Sequence, residues 1–218
     1  LEKTGERLVC RSCLEQLLPE RSGCCPSCGL FIPAAGKPNL CASCLQARPP
    51  FSCHRSAGRY EGVLKDLIIL FKYKKCEGLG RPLAQYAWEA LAAQKKLWEG
   101  LEAVIPVPLH RRRLKERGFN QAAVLAHLLG RRAGVPAVEG RLVRVKNIPP
   151  QTALDGGARK ANVAGAFGLR RAQDIVGRKI LLVDDVYTTG STIDECCRLL
   201  KRAGAGDIRV LTLARAQV

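Results

Sequence analysis

Two hydrophobic patterns alternate along most of this chain. Residues 180–183 are apolar at four successive positions, with Lys179 before them and Asp184 after them. Apolar on both faces and bounded by charge, they predict a buried parallel strand. Residues 193–203 then change to helical spacing. Residues 103–108 read as a second strand, followed by a polar, basic loop and a helix over 122–133. Upstream, 51–60 reads as a short connector or first strand. A helix over 62–73 places Val63, Leu67, Leu70 and Phe71 on one face, and another over roughly 83–97 is built on Leu83, Ala87, Ala90 and Leu91. Strand–loop–helix units in series predict an α/β protein with a doubly wound sheet. Residues 1–50 follow neither pattern.

The join between the 180–183 strand and its helix carries the strongest chemistry. It reads Asp184, Asp185, Val186, Tyr187, Thr188, Thr189, Gly190, Ser191, Thr192. A helix N-terminus presents free N–H groups and the positive end of the helix dipole, so it favours a phosphate. The four hydroxyls add donors, and Gly190 lets the backbone close around a ligand. The adjacent acids suit the vicinal hydroxyls of a ribose, directly or through a divalent cation that prefers oxygen. This stretch resembles the phosphoribosyl pyrophosphate (PRPP) motif of type I phosphoribosyltransferases. A generic nucleotide-binding strand–turn–helix is the plainer alternative. A Walker-type loop is excluded, because no Gly-Lys-Ser/Thr follows a Gly-rich turn.

Composition narrows the class. At 218 residues, 47% hydrophobic, the chain has room for one α/β domain with a true core and a small appendage. With no apolar run of about 18 residues and no signal-peptide pattern, membrane insertion is not expected, and a cytoplasmic location is. Net charge is +17, from 36 Lys and Arg against 19 Asp and Glu, which favours a polyanionic partner. Arg111, Arg112, Arg113, Lys115 and Arg117 crowd together, with Arg131, Arg132, Arg141, Arg144 and Lys146 behind. A solvated basic loop is the alternative for that cluster. Aromatics make up only 5% of the chain, so base-stacking platforms are sparse.

Eleven cysteines without a secretory signal point to metal rather than disulfides, and eight lie between Cys10 and Cys53. This asymmetry sets a boundary near residue 50, dividing a cysteine-rich head (1–50) from the remainder (51–218). Two Cys-x-x-Cys knuckles, Cys25/Cys28 and Cys41/Cys44, make a complete zinc ribbon. Zinc would supply most of the folding energy of so small a unit. Cys10 and Cys13 form half of a second site, which a further pair upstream of Leu1 would complete. Cys76, Cys196 and Cys197 read as buried small hydrophobes.

Two more segments complete the picture. The basic loop after 103–108 ends in Arg117, Gly118, Phe119, Asn120, Gln121, and residues 149–167, with Gly156, Gly157, Arg159 and Lys160, read as a lid. Together the cysteine pairs, the Pro-Val-Pro-Leu-His-Arg-Arg-Arg-Leu-Lys-Glu-Arg-Gly-Phe-Asn-Gln element, the later Gln-Thr-x-Leu and the acid–hydroxyl turn resemble the ComF family of competence proteins over nearly the whole chain. Members usually carry four cysteine pairs, of which the first is absent here. The resemblance implies a type I phosphoribosyltransferase fold, binding of PRPP with Mg²⁺, and a role in natural transformation. That role is handling of incoming single-stranded DNA with other competence proteins, peripherally at the inner face of the membrane. Asp184 and Asp185 would act at the ribose and lend negative charge near a developing oxocarbenium ion. The 188–192 turn would hold the 5′-phosphate. Arg111, Arg113 and Arg117, with Arg159 or Lys160, would hold the pyrophosphate. A salvage phosphoribosyltransferase without a DNA role is the alternative.

Overall fold

The computed structural model describes residues 8–20, 22–32, 39–146 and 165–217. In chain order it forms α1 (Arg11–Gln16), α2 (Ala42–Gln46), β1 (Cys53–Arg59), α3 (Gly62–Tyr73), α4 (Gly80–Leu91), α5 (Lys95–Trp98) and β2 (Ala103–Pro106). It continues through α6 (Arg111–Arg117), α7 (Gln121–Ala133), β3 (Leu142–Arg144), β4 (Phe167–Leu169), β5 (Lys179–Tyr187), α8 (Ser191–Arg202) and β6 (Asp207–Arg215). The predicted lid falls mostly outside the described residues.

Four strands form a parallel sheet in the order β1-β6-β5-β2. Alternation along β5 shows why both faces are closed. Leu181 and Val183 point into one core with α3, α4 and α7, while Ile180 and Leu182 point into a second with Ile193, Cys196 and Leu200 of α8. From β2 the chain runs through α7 to Ala137, which bridges Val104 in parallel beyond the β2 edge. From β5 it runs the other way, through α8 on the opposite face, to β6. The two connections diverge between β2 and β5, and their C-terminal ends open a crevice at that switch point. β3 and β4 pair antiparallel as a separate two-stranded unit.

Two elements depart from the sequence reading, and a third, β6, is absent from it. The α3 stripe facing the core is Leu64, Leu67, Ile68 and Phe71, whereas Leu70 is exposed and Val63 half-buried. Residues 63–71 are apolar nearly all round, so spacing alone does not choose the buried face. The helix expected over 83–97 breaks after Leu91. There the Trp98 indole N–H donates to the Leu91 carbonyl at 2.8 Å and packs against Trp88, 4.9 Å between centroids. β6 interrupts its apolar residues with Arg209, Thr212 and Arg215, yet all three are buried. Arg209 is held by Asp207 and by the Glu99 carbonyl, both at 2.7 Å.

The cysteine-rich head docks on β1 by backbone bonding. The His54 N–H donates to the Ser27 carbonyl at 2.8 Å. Gly29, at φ +67°, brings its turn so close that a Cβ there would lie 2.5 Å from the His54 carbonyl oxygen. Only glycine fits that approach.

Candidate functional site

β5 does not stop at Val183. It carries both acids in the strand and ends at Tyr187, so Asp184 and Asp185 are fixed by sheet pairing at the mouth of the crevice. Asp185 is buried and its Oδ1 lies 2.7 Å from Nζ of Lys72, on the last turn of α3. The Asp185 N–H donates to Asp184 Oδ1 at 2.8 Å. Loss of water around Asp184, and the charge of Asp185 beside it, push its pKa up to about 7, against the pull of Lys72. Burial disfavours the Lys72 ammonium, but Asp185 and then Asp184 outweigh that and hold its pKa above the usual lysine value. Lys72 is therefore a fixed positive charge on the acid pair, and no local motif marks it in the sequence.

Beyond the acids, Thr188 is exposed, Thr189 Oγ1 lies 3.0 Å from Ser191 Oγ, and Ser191 opens the twelve-residue α8. Gly190 precedes the helix at φ +80°, and a Cβ there would fall 2.2 Å from Tyr187 Oη. The first amides of α8 have no partner within the helix, and the paired Thr189 and Ser191 hydroxyls stand at its first turn. Val186 packs against the core on the α3 side. The Tyr187 ring lies buried beneath the turn, against the His54 ring at 4.4 Å and the Arg215 guanidinium at 4.3 Å.

The basic segment is a helix rather than the expected loop. The His110 imidazole accepts the Arg112 N–H at 3.3 Å, Arg112 pairs with Glu116 at 3.1 Å, and Gly118 ends the helix at φ +87°. Helical spacing puts Arg113 and Arg117 on one side, where they border a cavity of about 160 Å³ with Lys72 and Tyr73. Arg111 faces elsewhere, into a larger cleft of about 1280 Å³ shared with Phe119 and Arg144. Burial, and then Arg117, lower the pKa of Arg113. Arg144 on β3 is lowered by burial and by Arg113, and also feels Asp184. Lys72 and Arg144 thus join the site from distant positions, while Arg159 and Lys160 lie outside the described residues.

The Arg-Gly-Phe-Asn-Gln element ties this helix to α3. The Arg117 guanidinium sits 5.1 Å over the Tyr73 ring and donates to Gln121 Oε1 at 3.0 Å. Buried Gln121 donates in turn to the Phe71 carbonyl at 3.2 Å. Phe119 packs on Phe71, 5.3 Å between rings, and Asn120 caps α7 while bonding the Val107 carbonyl at 3.1 Å.

In the head, the Sγ atoms of Cys25, Cys28, Cys41 and Cys44 lie within 4.8 Å of one another, with Cys28 and Cys41 at 3.6 Å. Tetrahedral zinc with bonds of about 2.3 Å requires sulfurs about 3.8 Å apart, so the four thiols fit that ion. Backbone N–H groups outweigh burial to bring Cys25 down to about 6, whereas burial pushes Cys28 up. Cys10 and Cys13 do not join this group. Cys10 is exposed beside Ser12 at 3.2 Å, and Cys13 packs against the α3–α4 core. Cys196 and Cys197 are buried in the α8 core, as expected, whereas Cys76, read the same way, is only half-buried after the end of α3. No described helix is long and apolar enough to cross a membrane.

A parallel sheet with a switch-point crevice, an acid pair and a Thr-Thr-Gly-Ser-Thr turn defines a phosphoribosyltransferase-fold protein. Residues 115–217 match the phosphoribosyl transferase domain family. The chain is 33% identical to competence protein F of Haemophilus influenzae over 95% of its own length and 90% of that protein. It is 32% identical to DNA utilization protein YhgH of Escherichia coli K12, again over 95% and 90%. Competence protein ComFC of Streptococcus pneumoniae is 26% identical, over 98% and 97%. The chain belongs to this ComF family of competence and DNA utilization proteins.

Two predictions follow from this geometry. Metal analysis of purified protein is expected to give at least one zinc per chain, lost in a Cys28→Ser/Cys44→Ser variant; equal zinc in variant and parent contradicts the assignment. The second concerns His54, which burial holds neutral at a pKa of about 3 against an ordinary 6.5. Below pH 6.5 the unfolded chain takes up a proton that the folded one refuses, so this contribution to stability is complete above 6.5 and falls toward pH 3. Asp184, raised from 3.8 to about 7, works oppositely, losing its contribution as pH rises through that window. The measurement is therefore a difference. Urea unfolding of a His54→Gln variant across pH 5 to 7 should show a shallower loss of stability on acidification than the parent, and parallel curves refute it.

Proposed function

We propose that the crevice binds PRPP with Mg²⁺ and that the chain acts in DNA uptake, its basic surface holding single-stranded DNA. The supporting observation is the conjunction at one strand end of an acid pair, a Gly-broken hydroxyl turn at a helix N-terminus, and a cavity bordered by Lys72, Arg113 and Arg117. In this reading residues 1–50 form a zinc ribbon and 51–218 a phosphoribosyltransferase-like domain. The names of the relatives, competence protein F and DNA utilization protein YhgH, support the DNA role. We place the protein in the cytoplasm, peripheral to the membrane.

Each part of the ligand meets a matching group. The first amides of α8 and the hydroxyls of Thr188, Thr189, Ser191 and Thr192 take the 5′-phosphate. Asp184 and Asp185 take the ribose hydroxyls. Lys72 holds Oδ1 of Asp185, so the ribose competes with that pair, and Lys72 already borders the cavity where Arg113 and Arg117 receive the pyrophosphate. The lysine thus passes from acid to phosphate without leaving the site. Mg²⁺ supplies charge neutralisation on the pyrophosphate. Arg159 and Lys160 belong to the same reading as cations brought in from the lid. If transfer occurs, catalysis is positioning and electrostatic stabilisation of an oxocarbenium-like state.

Calorimetric titration with PRPP and Mg²⁺ tests the site. Asp184→Asn/Asp185→Asn is expected to weaken binding, and Thr189→Val to cost on the order of 1–3 kcal/mol. Gly190→Ala should abolish it, because the new methyl collides with Tyr187 Oη. Absence of binding by the parent refutes the reading, and pyrophosphate release with an added nucleobase favours the salvage enzyme instead. For DNA, affinity for a single-stranded oligonucleotide should fall steeply with salt, with a log–log slope of about −0.7 per phosphate contacted. A slope near zero contradicts the DNA role.

A further inference from the structure

We infer that Arg215 is a positioning residue that ties the four-cysteine knuckle to the 188–192 turn, so that occupancy of the metal site is felt at the ligand loop. Its functional weight rests on the reading of that turn as the ligand loop.

Arg215 ends β6 in register with Tyr187 of β5, and its side chain lies in the junction between head and sheet. It is 8% exposed. Its Nη1 donates to the Cys28 carbonyl at 2.8 Å, and its Nη2 lies 4.0 Å from Cys28 Sγ. The same guanidinium stacks on the Tyr187 ring at 4.3 Å. Its Nε is buried with no hydrogen-bond partner among the described residues. A guanidinium stays charged when buried, and an incompletely bonded one needs a negative neighbour. Four thiolates around a zinc ion carry net negative charge, and Cys28 is the thiolate that faces it.

His54 locks the junction from the β1 side. Its Nδ1 faces the Cys28 carbonyl at 2.7 Å, so that nitrogen carries the proton, and Nε2 accepts from Ser56 Oγ at 3.1 Å or Thr212 Oγ1 at 3.0 Å. One carbonyl therefore receives two donors, from β1 and from β6. Both of those side chains also touch the Tyr187 ring. Tyr187 is held by backbone as well, through the Ala216 N–H at 2.9 Å from its carbonyl. Its hydroxyl fills the space that a Gly190 Cβ would need.

The path is thus continuous from Cys28 through Arg215 and His54 to Tyr187 and Gly190. Zinc cross-links the knuckle that presents the Cys28 carbonyl. With the metal removed, that acceptor loses its fixed position and Arg215 its negative neighbour. The packing beneath the turn then loosens.

Hydrogen–deuterium exchange on the full chain tests the link without any ligand. Stripping zinc with a chelator is expected to speed exchange at 188–192 by roughly tenfold, while α7 stays unchanged. In zinc-loaded Arg215→Gln the 188–192 amides should exchange fast already, with little further change on stripping, and Arg215→Lys should restore part of the protection. Three results overturn the proposal. They are unchanged exchange at 188–192 when 25–44 loosens, an equal rise in α7, or an Arg215→Gln profile that matches the parent. Calorimetry with PRPP and Mg²⁺ on the zinc-loaded parent is read separately. Absence of heat there refutes the ligand reading, while the exchange data decide the Arg215 link.

Discussion

Coverage of β5 on both faces is the constraint from which the rest of the structure follows. Ile180, Leu181, Leu182 and Val183 are each fully buried, two against α8 and two against the α3–α7 side. Such a strand has no solvated face, so its polar residues are confined to its ends, Lys179 at the start and the acid pair toward the C-terminus. At the C-terminal end α7 and α8 diverge, and the acid pair meets the mouth of the crevice there. In that half-dry place loss of water, and then the charge of Asp185, make Asp184 resist ionisation. Lys72 offsets this at 2.7 Å from Asp185. The site is held in readiness by an internal cation in the position where a ligand's own charges would compete.

Two families of contacts keep that arrangement rigid. On one side, Arg117, Phe119, Asn120 and Gln121 stitch α6 and the start of α7 to the end of α3, which fixes Lys72 relative to Arg113. On the other, His54 and Arg215 converge on the Cys28 carbonyl and on Tyr187. The cysteine-rich head is therefore not a loose appendage to the sheet. Its knuckle is a support on which the floor of the hydroxyl turn rests.

The sequence made the chemistry at 184–192 and the four-cysteine cluster legible, because both are local: spacing alone places Thr189 by Ser191 and Cys25 by Cys28. It also made the α/β class legible through the change from run to helical spacing. Non-local partners were hidden. Lys72 reaches Asp185 only through the packing of α3 on the sheet, and Arg144 acts on Asp184 from the separate β3–β4 unit, and nothing near them in sequence announces it. β6 was hidden because three buried polar residues interrupt its apolar pattern, and each is satisfied by a distant group such as Glu99 or Cys28. Helix α6 was hidden by its dense positive charge. The i,i+4 pair Arg112/Glu116 was the available signal, and the same spacing puts Arg113 with Arg117 beside Lys72 and separates Arg111 from them.

The central claim is that the acid pair and the hydroxyl turn hold one ligand whose phosphates draw Lys72 off Asp185. A crystal structure of the full chain with PRPP and Mg²⁺ tests it most directly. The account predicts the 5′-phosphate on the first amides of α8, the ribose hydroxyls on Asp184 and Asp185, and Lys72 turned to the pyrophosphate beside Arg113 and Arg117. A ligand bound elsewhere, with the Lys72–Asp185 pair intact, would contradict it.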